Sequence, residues 1–214
     1  MVRAFIVSLA AVLLSFGADA QPVWEKFVSA VSGRCVSFPY SCVSKGKVTV
    51  KTDGNVKVQG SSFLVKTGDM EIRCDGRARW IVDRNAGEVV IESVDDGSGV
   101  SAAVDPAVLV NELGRHFAAG RSSVVKNGSQ TLTETEFRPV SSSSDVSGIS
   151  TMTLWFKDSS SGQPSIIRAV LKMKDGTENE FSIPSMSFSA PEPASVFRFD
   201  SAGYDASWVI TDLR

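Results

Sequence analysis

The sequence predicts a mainly β fold with helical insertions: an incomplete antiparallel β-barrel of about ten or eleven strands, with helices that could plug or cover its mouth. Between residues 34 and 92, short runs alternate apolar and polar side chains, which is typical of a sheet with one dry face. Turn dipeptides such as Asp53-Gly54 and Asp75-Gly76 separate the runs and can supply the positive φ of tight hairpins. So many consecutive hairpins in one domain favour an open barrel, and a two-sheet sandwich is the structural alternative.

Residues 1–20 are predicted to be a cleaved signal peptide. Arg3 supplies the positive start, residues 5–16 are apolar but too short to span a bilayer, and Ala18 and Ala20 are small residues before the cut. Loss of Arg3 and Asp19 leaves the formal net charge at −2, so residues 21–214 form one near-neutral domain. This charge argues against nucleic acid as a partner. We expect an exported, soluble, periplasmic monomer.

The periodicity then places each element in chain order. An amphipathic helix is predicted over 22–31, and a second, with Asp105 as N-cap and Pro106 in its first turn, runs to about Ala119. Pro39 suggests an edge strand or a bulge, because proline cannot donate to a ladder. Strands are predicted over 34–44, 47–59 (with a bulge at 52–55), 62–66, 70–75, 78–83, 88–92, 122–126, 129–138, 149–157, 165–174 and 177–182.

Apolar strand residues of the first half are the candidates for lining a cavity, and the residues of the second helix are the candidates for a plug. Charged residues are expected on the opposite, wet face: Lys51, Lys57, Lys66, Glu71, Arg73 and Arg79. The predicted cavity residues are Val36, Phe38, Val48, Val50, Phe63, Val65, Met70, Ile72, Trp80 and Val82. The predicted lid residues are Leu109, Leu113 and Phe117.

Catalytic motifs are missing from the sequence. There is no GxSxG, HExxH or phosphate-binding glycine loop, and the single histidine, His116, is interpreted as a lid or solvent-facing residue. No cofactor or metal is expected. A carboxylate pair for glycoside hydrolysis stays open, because several acidic residues lie on strands: Glu71, Asp75, Glu134 and Glu136. Buried free thiols are favoured over a disulfide framework for the three cysteines, Cys35, Cys42 and Cys74.

Several short segments, in order, resemble the LolA-like family of periplasmic outer-membrane lipoprotein carriers. The segment 74–80, CDGRARW, resembles the strand–turn–strand "DGxxxW" of that family, and 33–38 its first strand. Residues 162–173 are similar to its C-terminal hairpin, and 195–200 to its late "F-x-F" strand. The closing Thr211-Asp212-Leu213-Arg214 resembles the end of the Bacteroidetes-type branch.

The resemblance implies an unclosed β-barrel with an α-helical lid over an apolar cavity. It implies a carrier of acylated lipoproteins between an inner-membrane exporter and an outer-membrane acceptor. Family members hold the lid shut with an Arg on the strand pair before the "DG" turn, whereas residues 56–66 here offer only Lys57 and Lys66. Binding of another lipid or glycolipid, or a non-catalytic secreted β-module with a filled core, are the alternative functions.

Overall fold

A computed structural model describes residues 21–94, 107–111, 113–140, 146, 148–159, 162–200 and 207–214. The predicted signal peptide and the Asp105-Pro106 helix start lie outside these residues.

The described strands form one open, mainly antiparallel sheet of thirteen strands, which is more than the sequence predicts. Its order is β13-β6-β5-β4-β3-β2-β1-β11-β10-β9-β8-β7, with β12 paired to β1 off this path, so no second sheet of a sandwich forms in the described chain. The strands are β1 Cys35–Lys45, β2 Thr49–Gln59, β3 Ser62–Thr67, β4 Met70–Cys74, β5 Ala78–Asp83, β6 Glu88–Ser93, β7 Phe117–Asn127, β8 Gln130–Pro139, β9 Ile149–Lys157, β10 Ser165–Met173, β11 Glu178–Ser182, β12 Ser187–Ser189 and β13 Val209–Asp212.

The second strand is straight where a bulge is predicted. Pairing of β1 with β2 keeps one register from Val36↔Val58 to Lys45↔Thr49. Gly54 lies inside β2 opposite Tyr40, and a Cβ there would clash with the Lys66 carbonyl oxygen of β3 and lie 2.7 Å from a Tyr40 ring carbon. Gly54 is therefore the site where an aromatic ring crosses the backbone closely, and the interpretation of Asp53-Gly54 as a turn or bulge is wrong.

Pro39 also behaves differently from its prediction, since β1 is neither an edge strand nor bulged. On one side of β1 the register with β2 is unbroken through Pro39↔Asn55. On the other side β12 pairs with residues 35–37 and β11 with residues 41–45. Pro39 thus lies in the gap between two partners, where a missing N–H breaks no ladder.

Three short α-helices are described: α1 Val23–Val31, α2 Val108–Asn111 and α3 Leu113–His116. The first matches its prediction. The second predicted helix ends at His116, earlier than expected, and β7 begins at Phe117. No helix in the described residues is both long and apolar enough to cross a membrane.

The two faces of the sheet have different coverings. We call the face that carries Phe38, Val56 and Ile72 the inner face, and its side chains join those of the helices in one large apolar cluster. The opposite, outer face of β5 and β6 forms a second cluster with Phe199 and Trp208. A C-terminal strap, residues 190–200, crosses the outer face, and β13 adds in parallel to β6 at the edge of the sheet.

Candidate functional site

Five of the predicted cavity residues meet on the inner face. Direct pairing aligns Phe38 with Val56, Val56 with Val65, and Val65 with Ile72 across four strands. All of these are at most 8% exposed, and they belong to the same cluster. The predicted residues brought together here are Val36, Phe38, Phe63, Val65 and Ile72.

Two predicted cavity residues lie on the wrong face. Ile72 pairs with Ile81, so Ile81 points inward, and its neighbours Trp80 and Val82 point outward into the second cluster. On β5 the inner face carries Ile81 between the charged Arg79 and Asp83, whereas the apolar Ala78, Trp80 and Val82 lie on the outer face with Phe199 and Trp208 of the C-terminal segment. Placing Trp80 and Val82 on the inner face is therefore a wrong prediction.

Three more of the predicted cavity residues lie at the margin of the inner face. Val48 precedes β2 and is 71% exposed, so its predicted place inside the sheet is not met. Val50 has the inward register but is 48% exposed, because its partner Ser44 is near the end of β1. Met70 is half-buried at the first position of β4.

The predicted lid residues do contact the inner-face cluster. Leu109 and Leu113 are 0% exposed, and Phe117, which opens β7 instead of ending a helix, is also buried. The first helix also contributes a buried side chain to this cluster. The Phe27 ring is fully buried, and its centroid lies 5.7 Å from that of the Phe156 ring on β9. The centre of the inner face is thus filled by helical side chains.

The second half of the sheet supplies inner-face residues that sequence reasoning left out. Alternation within β9, visible at Met152, Leu154 and Phe156, signalled them, and all three are 0% exposed. Further cluster members from this half are Phe137, Ile149, Ile166, Ala169, Leu171, Phe181 and Ile183.

A cleft of about 380 Å³ opens between the helices and the inner face. Buried Val36 and Val58 form part of its lining from β1 and β2, and Val110 contributes from α2. Gly114 of α3 brings the helices close together, because a Cβ there would lie 3.0 Å from a Val28 methyl of α1. Within the part of the chain that the structure describes, the lining consists of Val28, Val31, Ser32, Gly33, Arg34, Val36, Val58, Gly60, Val110, Gly114 and Arg115.

Charged residues of the outer face are tied into a network. Glu71 is only 2% exposed and contacts Arg73, Arg84 and Lys66, with an Arg84 Nη2 to Oε2 distance of 2.9 Å. Burial favours the neutral carboxyl, but the hydrogen bond from Arg84 and the charges of Arg73 and Lys66 hold the pKa of Glu71 below its ordinary value. Arg73 also donates to the carbonyl of Val196, which anchors the strap.

Two other carboxylates considered for glycoside hydrolysis also have structural contacts. Asp75 accepts hydrogen bonds from the backbone N–H groups of Arg77 and Ala78 in the β4–β5 turn, and it pairs with Arg198 of the strap at 2.9 Å. Burial raises the pKa of Asp75, but these donors outweigh burial and lower it. Glu136 pairs with Arg138 on β8.

One charged pair lies on the inner face, contrary to prediction. Arg79 is expected on the wet face but is 8% exposed and pairs in register with Cys74 and Glu92. Its Nη1 lies 3.8 Å from Glu92 Oε2. Lys57 and Lys66, by contrast, contact Glu192 and Glu71 on the outer face.

The three cysteines are free and buried, as favoured from the sequence. Burial raises the pKa of the Cys42 thiol to about 11, against a weaker opposing hydrogen bond from Thr52. Among the described residues, no group of three or more His, Cys, Asp or Glu is arranged to hold a metal ion.

The fold has counterparts among solved structures. An uncharacterized conserved protein from Thermus thermophilus superposes with a TM-score of 0.54 at 9% identity, over 89% of this chain and 96% of that one. A LolA superfamily protein from Nitrosomonas europaea gives 0.48 at 12% identity, over 83% and 96% of the two chains. The Mycobacterium tuberculosis lipoprotein LppX gives 0.41 at 13% identity, over 80% and 96%. The sequence matches no protein-family model and no curated protein. At 9% identity, the likeness to the Thermus protein shows a shared fold and nothing about activity.

Proposed function

We propose that this protein is a periplasmic carrier that holds the acyl chains of lipoproteins against the inner face of its open sheet and ferries them from the inner to the outer membrane. The observation that carries the proposal is the contact between the short helices and this face. Phe27, Leu109 and Leu113 project from helices into an apolar surface formed by both halves of the sheet. In this proposal the helices are a lid, and these three side chains are its plug.

Burial energies make such a plug exchangeable with lipid. Fully burying a Phe or Leu side chain contributes about 1.5–3 kcal/mol, so the three plug residues contribute roughly 5–9 kcal/mol together. One acyl chain of about 14 carbons contributes roughly 11 kcal/mol gross, at ~0.8 kcal/mol per CH₂. The two totals are similar, so lipid can displace the plug and the returning plug can help to release lipid.

Photo-crosslinking tests the proposal with a matched pair of positions. Ile72 and Trp80 are both 8% exposed and lie on neighbouring strands, but Ile72 faces inward and Trp80 outward. A photoreactive residue at Ile72 should form adducts with acylated lipoprotein in the periplasm, and one at Trp80 should form none. Equal labelling at both positions, or no adducts at Ile72, Phe63 and Val65 together, would contradict the carrier function.

Native mass spectrometry supplies the second readout. Protein purified gently from the periplasm should carry acyl chains, and their masses would separate lipoprotein from glycolipid or free lipid. A β-module with no lipid function should carry none.

A further inference from the structure

The cleft between the helices and the sheet combines an apolar lining with a cationic rim. Val36 and Val58 are each 1% exposed, and Val28 and Val31 of α1 are half-buried beside them. Arg34, just before β1, and Arg115, on α3, are the charged residues of the lining, to which no acidic side chain of the described residues contributes. Its volume of about 380 Å³ falls within the range of small-molecule sites.

The two guanidinium groups are available to a ligand. Both arginines are exposed, and neither forms an ion pair with a residue in the described part of the chain. They come from different elements, so each can approach a bound group independently of the other. The carbonyl end of α1 also faces this region, but a helix end carries only about half a negative charge, against two full positive charges.

We propose that Arg34 and Arg115 make this cleft selective for acyl amphiphiles with an anionic head group, a carboxylate or a phosphate. The acyl chain enters between the valines, and the head group accepts charge-assisted hydrogen bonds from the two guanidinium groups at the rim. An uncharged head group can accept hydrogen bonds from the guanidinium groups but gains no ion pair with them. This inference rests on the acyl binding of the proposed function. It adds a further class of ligand, free lipids with an anionic head group, because the ester and amide bonds that attach acyl chains to a lipoprotein carry no charge.

Four ligands separate the contributions of chain and head group. Palmitate and palmitoyl lysophosphatidate carry the two anionic heads, monopalmitin carries an uncharged head on the same chain, and inorganic phosphate is a head without a chain. The expected order is tight binding of both anionic lipids, roughly tenfold weaker binding of monopalmitin, and no binding of inorganic phosphate at the same concentrations. Added salt should weaken the binding of palmitate and not that of monopalmitin.

The variant is Arg34→Gln together with Arg115→Gln, and the matched control is Arg121→Gln, which alters an exposed arginine of β7 outside the cleft. The double variant should bind palmitate roughly tenfold more weakly, lose the salt dependence and keep its affinity for monopalmitin. The control should match the wild type for every ligand.

Failure of this inference differs from failure of the carrier function. If monopalmitin binds as tightly as palmitate and the double variant is unchanged, the head-group selectivity is wrong and acyl binding stands. If inorganic phosphate alone binds as tightly as the lipids, the site is a phosphate site and the inference is wrong. If no acyl ligand binds, both proposals are overturned.

Discussion

Replacing Phe27 by alanine should strengthen lipid binding while it weakens the folded protein. Phe27 is fully buried on the inner face and lies 5.7 Å from the Phe156 ring, measured between centroids. Truncating a buried Phe to Ala costs about 3–5 kcal/mol in the free energy of unfolding. In the proposed carrier, lipid displaces Phe27, so most of this cost affects the closed form and not the loaded one.

The expected gain in lipid affinity follows from the loss of stability of the closed form relative to the loaded form. A closed form that is about 3 kcal/mol less stable relative to the open form raises the apparent affinity by up to about 150-fold, at 1.4 kcal/mol per tenfold. The gain stops when the open form predominates, since affinity then reaches its intrinsic value. A fluorescent palmitate analogue titrated into both proteins measures the ratio, and urea unfolding measures the stability.

Phe197→Ala is the matched control, because Phe197 is 1% exposed but belongs to the strap on the outer face. It should lose similar stability and show no gain in affinity. Equal affinities for wild type and Phe27→Ala, or an equal gain in both variants, would refute the assignment of Phe27 to a plug.

Three further predictions concern the stability of the sheet and the reactivity of a buried thiol within it. Glu71→Gln should lower the free energy of unfolding by about 1–3 kcal/mol at neutral pH. Because the fold lowers the pKa of Glu71 below 4.5, this stabilisation is present above pH 4.5 and is lost as the pH falls through the folded pKa. Urea titrations of wild type and variant should therefore converge in acid, and a difference that stays constant with pH would contradict the assignment. Gly54→Ala should lower the free energy of unfolding by about 1–3 kcal/mol, because its Cβ would meet the Lys66 carbonyl oxygen and the Tyr40 ring. Gly120→Ala should change the stability little, and similar losses for both variants in thermal melts would contradict the close packing at Gly54. Cys42, with its buried thiol and pKa of about 11, should react with iodoacetamide at pH 8 far more slowly than in urea, and equal rates would rule out its burial.

Local periodicity predicts most of the strands and one of the helices. Alternation places Val36, Phe38, Val65 and Ile72 on a common face, and the structure pairs them across adjacent strands. The same local signal identifies Phe27 on the apolar side of α1. These predictions hold because facing depends on neighbouring residues alone.

The errors arise where distant residues decide the outcome. Alternation groups Trp80 and Val82 on one face of β5, but the sequence of this strand cannot show that Phe199 and Trp208 cover that face on the outer side of the sheet. Asp53-Gly54 has the composition of a turn, and the close approach of Tyr40 from β1 and of the Lys66 carbonyl from β3 explains the place of Gly54 inside a strand. The cleft likewise depends on α1, α3 and two strands meeting in space, which no single segment encodes.

The pairing of β1 with β11, which we call the central seam of the sheet, affects how the chain folds. β1 pairs with β11, and Lys45 contacts Glu178 across a separation of 133 residues. The hairpins on either side of this seam can form from residues that are close in sequence. The pairing of β1 with β11 can form only after both sets of strands have formed, and such non-local pairing slows folding. We therefore expect a folding intermediate in which the two halves of the sheet are formed but not yet paired, with β1 and β11 as exposed edge strands that are prone to aggregation.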